Sequence, residues 1–474
     1  MSTDQELIKI VPSSCQLAYQ ATEFYAFFHF GMNTYTNREW GDGTEYPQIF
    51  NPTEFDADQW VSAAQNAGMK GVILTCKHHD GFCLWPTRYT SHSVASSPWK
   101  SGRGDVVREV SEACRRYRLK FGIYLSPWDR NQPCYGSGKE YDDYYLAQLT
   151  ELLTGYGDVF SVWLDGACGE GPNGKKQVYD WNRYYECVRK YQPDACICVC
   201  GPDIRWCGNE AGDVRKSEWS VVPARTALAE SVQEKSQQID DKEFRMRRIT
   251  SDMEDLGSRK ALEGETNLIW YPAEVNTSIR PGWFYHPEED EQVKSLEELI
   301  HIYIGSVGGN ATFLLNIPPM PNGLLHENDV MRLKEFGSWK RKSFAHNLME
   351  TADVFSENED PAHLASNLIN DTLENWYQPE SSELPVEITI SLDHLYNLGY
   401  LVLKEAVRYS QRVEKFEVLV KENKTWNSIF TGTVIGYQKI IPVKGQKARE
   451  VKIVLHDFRV LPLLSFVGIY PENP

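Results

Sequence analysis

Asp158-Val-Phe-Ser-Val-Trp-Leu-Asp165-Gly166 is an apolar run of strand length that stops at a carboxylate. The same form recurs along the chain. Phe24-Tyr-Ala-Phe-Phe-His-Phe30, Gly71-Val-Ile-Leu-Thr-Cys76, Lys120-Phe-Gly-Ile-Tyr-Leu125 and Ala195-Cys-Ile-Cys-Val-Cys200 are short, near-continuously apolar, and followed by polar residues. Strands of this kind are buried on both faces, as in parallel sheets covered by helices. The helices are legible between them: Val106, Val107, Val110, Cys114 and Tyr117 recur at helical spacing behind Asp105, as do Leu146, Leu149, Leu152, Leu153 and Tyr156. Strand and helix in series from residue 20 to about 325 predict an α/β fold, a (β/α)8-like, TIM-type barrel, whose usual size is about 250 residues or more. A doubly wound open sheet is the alternative, but no G-x-G-x-x-G follows the first strand. Asn267-Leu-Ile-Trp-Tyr271 and Ala311-Thr-Phe-Leu-Leu-Asn316 are the weaker strand candidates.

Residues 296 to 307 return to helical spacing, and a charged helix is predicted from Asp329 to Asn347. Beyond it the period changes. Lys415-Phe-Glu-Val-Leu-Val-Lys421 and Glu450-Val-Lys-Ile-Val-Leu-His456 alternate apolar and polar residues, as half-buried antiparallel strands do. The predicted division is a catalytic barrel over 1–349 and a C-terminal β-sandwich over 350–474. The stretch from Glu218 to Lys260 is polar and irregular, and is expected to pass over the barrel mouth.

Composition narrows the class of function. Acidic residues outnumber basic ones, giving a net charge of −17, which repels nucleic acid and anionic membrane surfaces. Aromatic residues make up 12% of the chain, and ring faces with polar tips suit sugar stacking as well as core packing. The 11 cysteines are odd in number, several sit within apolar runs, and no chelating C-x-x-C occurs, so neither a disulfide framework nor a cysteine metal site is expected. The N-terminus has no basic start or long apolar stretch; the expectation is a cytoplasmic chain as written, or an extracytoplasmic one if a signal has been removed. No cofactor is implied, and nothing in the sequence fixes an oligomeric state.

The predicted strands end in residues that carry chemistry. The first leads to His29, Asn33 and Glu39, the second to His78 and His79, the third to Tyr124, Trp128 and Asp129, the fourth to Asp165. In a parallel barrel the loops after the strands hold the site. Beyond the fifth strand, Gly201-Pro-Asp-Ile-Arg-Trp-Cys-Gly-Asn-Glu210-Ala-Gly212 supplies a second carboxylate in a tight loop. Two carboxyl groups, one charged and one protonated, are what acetal cleavage of a glycoside requires. From the residues alone Asp165 could instead pair with Arg205, and Glu39, Glu254 or Glu274 could donate the proton in place of Glu210. The histidines admit three readings: zinc ligands, structural hydrogen bonding, or contacts to a polyhydroxylated ligand. Trp206, Trp270 and Trp283 are candidate stacking platforms.

Together His29-Phe-Gly, Lys77-His-His-Asp-Gly-Phe, Tyr124-Leu-Ser-Pro-Trp-Asp and Val162-Trp-Leu-Asp-Gly resemble, in order and spacing, the α-L-fucosidases of glycoside hydrolase family 29. The resemblance implies a retaining enzyme without a metal, with Asp165 as nucleophile and fucose hydroxyls held by His29, Glu39, His78, His79 and Tyr124, Trp283 lying beside the sugar methyl group. The Gly-Asn-Glu210 segment is similar to the branch that cleaves α-1,3 and α-1,4 fucosyl bonds in Lewis-type glycans, which implies Glu210 as acid/base. Ala365-Ser-Asn-Leu-Ile-Asn-Asp371 and Trp376 resemble galactose-binding-like sandwiches, with packing against the barrel as the expected role. The implied partner is a fucosylated oligosaccharide or glycoconjugate. Rival functions are a barrel that binds fucosylated glycans without cleaving them, and a metal-dependent hydrolase built on the histidines.

Overall fold

The computed structural model describes residues 3–235 and 255–472. Eight parallel strands form the barrel: β1 (Phe24–Phe28), β2 (Gly71–Lys77), β3 (Lys120–Leu125), β4 (Ser161–Leu164), β5 (Cys196–Val199), β6 (Arg205–Trp206), β9 (Ala273–Ser278) and β10 (Ala311–Asn316). They are ordered β5-β4-β3-β2-β1-β10-β9-β6, and a parallel bridge between Cys198 and Ile204 brings the two edges together. The outer helices start where the sequence offers a cap. Asp105 accepts from the Arg108 amide at 2.9 Å ahead of the helix Val106–Arg116, and Asp56 accepts from Asp58 and Gln59 ahead of Ala57–Asn66.

Two strands differ from expectation. The run around Leu268–Trp270 is β8, which pairs antiparallel with β7 (Val221–Pro223) in a two-stranded sheet outside the barrel. Its predicted place in the barrel is taken by β6 and β9. Strand β9, Ala273-Glu-Val-Asn-Thr-Ser278, hides from an apolar-run criterion because Glu274 and Asn276 find partners inside the barrel, where Tyr19, Tyr25 and Trp163 donate to the Glu274 carboxylate. All six residues of β9 are nonetheless buried.

The C-terminal part is one antiparallel sheet folded on itself. β12 (Val386–Glu405) and β15 (Lys439–Phe458) are each 20 residues long and pair along most of their length, with register shifts near Ser391/Tyr396 and Leu398/Tyr400. One half of the pair carries β11 (Asp353–Phe355), β13 (Val413–Glu422) and β14 (Thr425–Gly432); the other carries β16 (Leu464–Pro471). Ile388, Ile453 and Val418 from the first half and Leu401, Ile441 and Val467 from the second share one buried cluster, so the halves face each other as sandwich layers. Tyr400, Val402, Ile440 and Phe466 point instead into the core shared with the barrel helices.

Residues 236–254 of the Glu218–Lys260 excursion lie outside the described residues; its described start meets this sheet, while Val232 packs against the cluster of Val199 and Trp163 at the mouth end of the barrel. Ser217 Oγ meets Thr433 Oγ1 at 2.5 Å, and the Ser220 amide donates to Gln411 at 3.0 Å. Glu254, weighed above as a proton donor, lies outside the described residues.

Candidate active site

One pocket at the carboxyl ends of the strands is lined by the eight residues to which the resemblance gives catalytic or sugar-binding roles: His29, Glu39, His78, His79, Tyr124, Asp165, Glu210 and Trp283. Phe27, Trp40, Trp163, Ala167, Val199, Trp206 and Asn276 complete it. Trp270, by contrast, is buried in a separate cluster and donates to Gln20. Glu274 is fully buried beneath the pocket, where it receives the Trp163 indole N–H at 2.7 Å, so it supports the floor and lies outside the pocket lining.

Asp165 is held by two donors. The Ala167 amide reaches Oδ1 at 2.8 Å and the Tyr124 hydroxyl reaches Oδ2 at 2.8 Å. Its predicted rival partner Arg205 is turned away and forms a buried pair with Glu218. Opposite the aspartate, the Glu210 loop owes its shape to Asn209, which is 1% exposed: Oδ1 accepts from Ala211 and Asp213 amides, each at 3.1 Å, and Nδ2 donates to the Asp213 carbonyl at 3.0 Å. Gly208 and Gly212 bracket the loop with φ of +102° and +81°, which a side chain would resist. Glu210 Oε2 accepts from the Trp283 indole N–H at 2.9 Å. Val199 also lines the pocket with φ +69°, a costly conformation for a β-branched residue, and its amide is held by the Ile204 carbonyl.

Neighbouring groups fix the hydrogens on the three pocket histidines. Asn316 Nδ2 donates to the Trp283 carbonyl at 2.8 Å, which turns Oδ1 toward His29; Nδ1 of His29 therefore donates, at 2.8 Å, and Nε2 keeps its lone pair. His78 is the reverse. Asn33 Nδ2 donates to the Glu39 carbonyl at 2.8 Å and faces His78 Nδ1 at 3.3 Å, so Nδ1 accepts and Nε2 carries the hydrogen. Ser126 donates to the Trp128 carbonyl and accepts from His79 Nδ1 at 2.7 Å, which leaves the lone pair of His79 Nε2 at 3.8 Å from Asp165 Oδ2. Two acceptors so placed leave room for a donor, such as a sugar hydroxyl.

Burial lowers all three imidazoles, His29 and His79 to about 4 and His78 well below its ordinary value. In the unfolded chain they return to 6.5, so below that pH the unfolded state binds more protons. Their contribution to stability is complete above pH 6.5 and is lost as pH falls toward about 4. For His29 and His79 the expected size is on the order of 3 kcal/mol each. Urea midpoints measured from pH 7 to pH 4 should fall, and less steeply in His79→Gln than in the wild type; parallel profiles would refute the neutral assignment.

Glu39 lines the pocket, yet its oxygens serve main chain. Oε2 accepts from the Trp283 amide at 2.9 Å and Oε1 from the Phe284 amide at 3.1 Å and from His286 Nε2 at 2.6 Å. No local pattern marks His286, Asn316 or Asn276 as site residues, because their partners lie far along the chain.

Among the described residues the three histidines do not bring ligand atoms together. The one such cluster is Cys15, Cys196 and Asp203, with Cys196 at the start of β5, the end of the strand away from the pocket.

The family model for alpha-L-fucosidase matches residues 15–343, the whole barrel. The chain belongs to the alpha-L-fucosidase family. Alpha-L-fucosidase 1 of Arabidopsis thaliana is 37% identical over 98% of this chain and 88% of its own length. Among solved structures, SpGH29 superposes with a TM-score of 0.85 at 33% identity, covering 98% of this chain and 99% of that one. A Ruminococcus gnavus GH29 fucosidase in complex with fucose superposes with a TM-score of 0.83 at 29% identity, covering 98% and 95%. In this fucosidase the strand-end motifs and the Glu210 loop all fall within the matched region, while the C-terminal sheet is covered by the whole-chain similarities.

Proposed function

We propose that this α-L-fucosidase, a glycoside hydrolase, is a retaining exo-enzyme that releases α-1,3/1,4-linked fucose from branched, Lewis-type glycans. The observation that carries the reading is the meeting of Asp165 and Glu210 in one pocket, on loops after different strands, with both oxygens of Asp165 and Oε2 of Glu210 receiving hydrogen bonds.

In this reading Glu210, protonated, gives its hydrogen to the glycosidic oxygen while Asp165 attacks the anomeric carbon. The bond to the aglycone breaks and a covalent fucosyl-aspartate forms. Glu210, now charged, takes a proton from water as the water attacks the same carbon, and Asp165 leaves. His29, His78, His79 and Tyr124 address the sugar hydroxyls, and Trp283 offers its ring to the methyl side. The rival of a non-cleaving glycan binder is disfavoured by the presence of both carboxylates in the lining.

The branched-substrate part of the proposal draws on a groove that leaves the pocket past Glu210 and Trp283 and continues along Asp213, Thr277, Lys294 and His301. Its volume is about 910 Å3 against about 80 Å3 for the pocket, so further sugars beyond the fucose have room there. The leaving-group side is thus assigned to this groove.

NMR of the first product should show α-L-fucose before mutarotation; the β anomer would refute retention. Contacts to a second branch sugar should raise kcat/KM for Lewis a trisaccharide over 2′-fucosyllactose by about tenfold or more. Equal or reversed values would remove the branched-substrate claim and leave the fucosidase intact.

A further inference from the structure

We infer that His286 is held as an imidazolium and acts as a positioning residue, clamping through Glu39 the backbone that carries Trp283 against Glu210. The inference rests on the reading of Glu210 as acid/base. Its first support is a count of hydrogens. Asn37 Nδ2 donates to Glu288 Oε1 at 3.2 Å, which turns Asn37 Oδ1 toward His286 Nδ1, 2.6 Å away. An oxygen at that distance accepts, so Nδ1 carries a hydrogen. On the other side of the ring, Nε2 lies 2.6 Å from Glu39 Oε1, a carboxylate that already accepts from the Trp283 and Phe284 amides. Nε2 must donate as well. An imidazole that donates from both nitrogens is a cation.

The second support is the setting. The side chains of His286 and Glu39 are 9% and 13% exposed, so solvent screens their attraction little. Glu288 and Glu289, on the turn Pro287–Glu289, add negative charge around the ring, and Glu289 Oε2 also takes the Gly282 amide at 2.9 Å. The hydrogen bond that His286 donates to Glu39 is the main cause that raises His286 above its ordinary value, with the charges of Glu39, Glu289 and Glu288 adding to it. Packing excludes looser arrangements: a Cβ on Gly282 would lie 2.7 Å from both Glu39 Oε1 and His286 Cδ2, so only glycine lets the pair close beneath this turn. The clamp is a chain of contacts: His286 and the Trp283 amide both donate to Glu39, and the Trp283 indole donates to Glu210.

The sign of the pH effect is opposite to that of the pocket histidines. The clamp is complete below the ordinary imidazole value of 6.5 and weakens as pH rises through the raised value, which gives activity an alkaline limb.

The test uses the full chain. With 15N-labelled histidine, one ring at pH 7 should show both nitrogens protonated, titrate above 6.5, and vanish in His286→Gln. A neutral His286 ring at pH 7 overturns the inference. In kinetics, His286→Gln should lower kcat/KM on unactivated fucosides by about 10- to 100-fold, spare aryl fucosides with good leaving groups, and lose the alkaline limb. An alkaline limb unchanged in the variant also overturns the clamp. If the imidazolium is seen but neither His286→Gln nor Glu210→Ala separates the two substrate classes, the acid/base assignment is what fails.

Discussion

Asp165→Asn is expected to lose fucoside hydrolysis by about 10^4-fold or more while keeping its fold, since an amide cannot form the glycosyl ester through which the reaction passes. The fold should survive because the local partners tolerate the exchange. The Ala167 amide can still donate to the remaining oxygen, and the Tyr124 hydroxyl, which donates to Oδ2 in the native chain, can accept from the new NH2 group. His79 Nε2, whose lone pair faces Oδ2 from 3.8 Å, gives that group a second acceptor. Urea midpoints near those of the native protein, with turnover abolished on an aryl fucoside, are the expected pair of results. Trapping with a 2-fluoro fucoside and mapping the labelled peptide is the direct check, and a label on any other residue removes Asp165 from its role.

Glu210→Ala should divide substrates by leaving group. Natural fucosides need a proton on the departing oxygen and are expected to slow by about 10^2- to 10^4-fold, whereas activated aryl fucosides should still form the covalent intermediate. Hydrolysis of that intermediate would then lag for want of a base, and azide should speed it and yield a fucosyl azide. The variant also takes the acceptor from the Trp283 indole, so Glu210→Gln, which retains an oxygen there, separates loss of the proton from loss of the contact. Uniform loss on every substrate would show that Glu210 is structural.

The parts of this molecule that sequence made legible are those set by local pattern. Strands β1 to β5 announce themselves because both faces are buried and their residues are mostly apolar, and β10, with Thr312 and Asn316 in it, shows more weakly. The chemistry at their ends was readable for the same reason: a polar residue after such a run falls at the barrel rim. β6 was too short to show, and β9 was masked by Glu274 and Asn276, whose polarity is answered inside the barrel by Tyr19, Tyr25, Trp163 and Trp206. The run at Leu268–Trp270 looked like a barrel strand because apolar content tells burial but not partner. What lay beyond reach was side-chain pairing over long separations. The family resemblance implies Glu39 as a sugar ligand, and only the fold brings Trp283, Phe284 and His286 to its oxygens.

His29 and His78 carry their hydrogens on opposite nitrogens, each fixed by an asparagine whose own amide is pinned by a carbonyl. Reversing either ring therefore means turning its asparagine against that carbonyl as well. The rim consequently has a polarity, in the sense of a vector: one imidazole takes a proton from the ligand and its neighbour offers one. Fluorine, which accepts weakly and never donates, could stand in for a hydroxyl oxygen opposite the N–H of His78, but opposite the bare nitrogen of His29 it would set lone pair against lone pair. A series of deoxyfluoro sugars would thus read the direction of each hydrogen bond in the pocket one hydroxyl at a time.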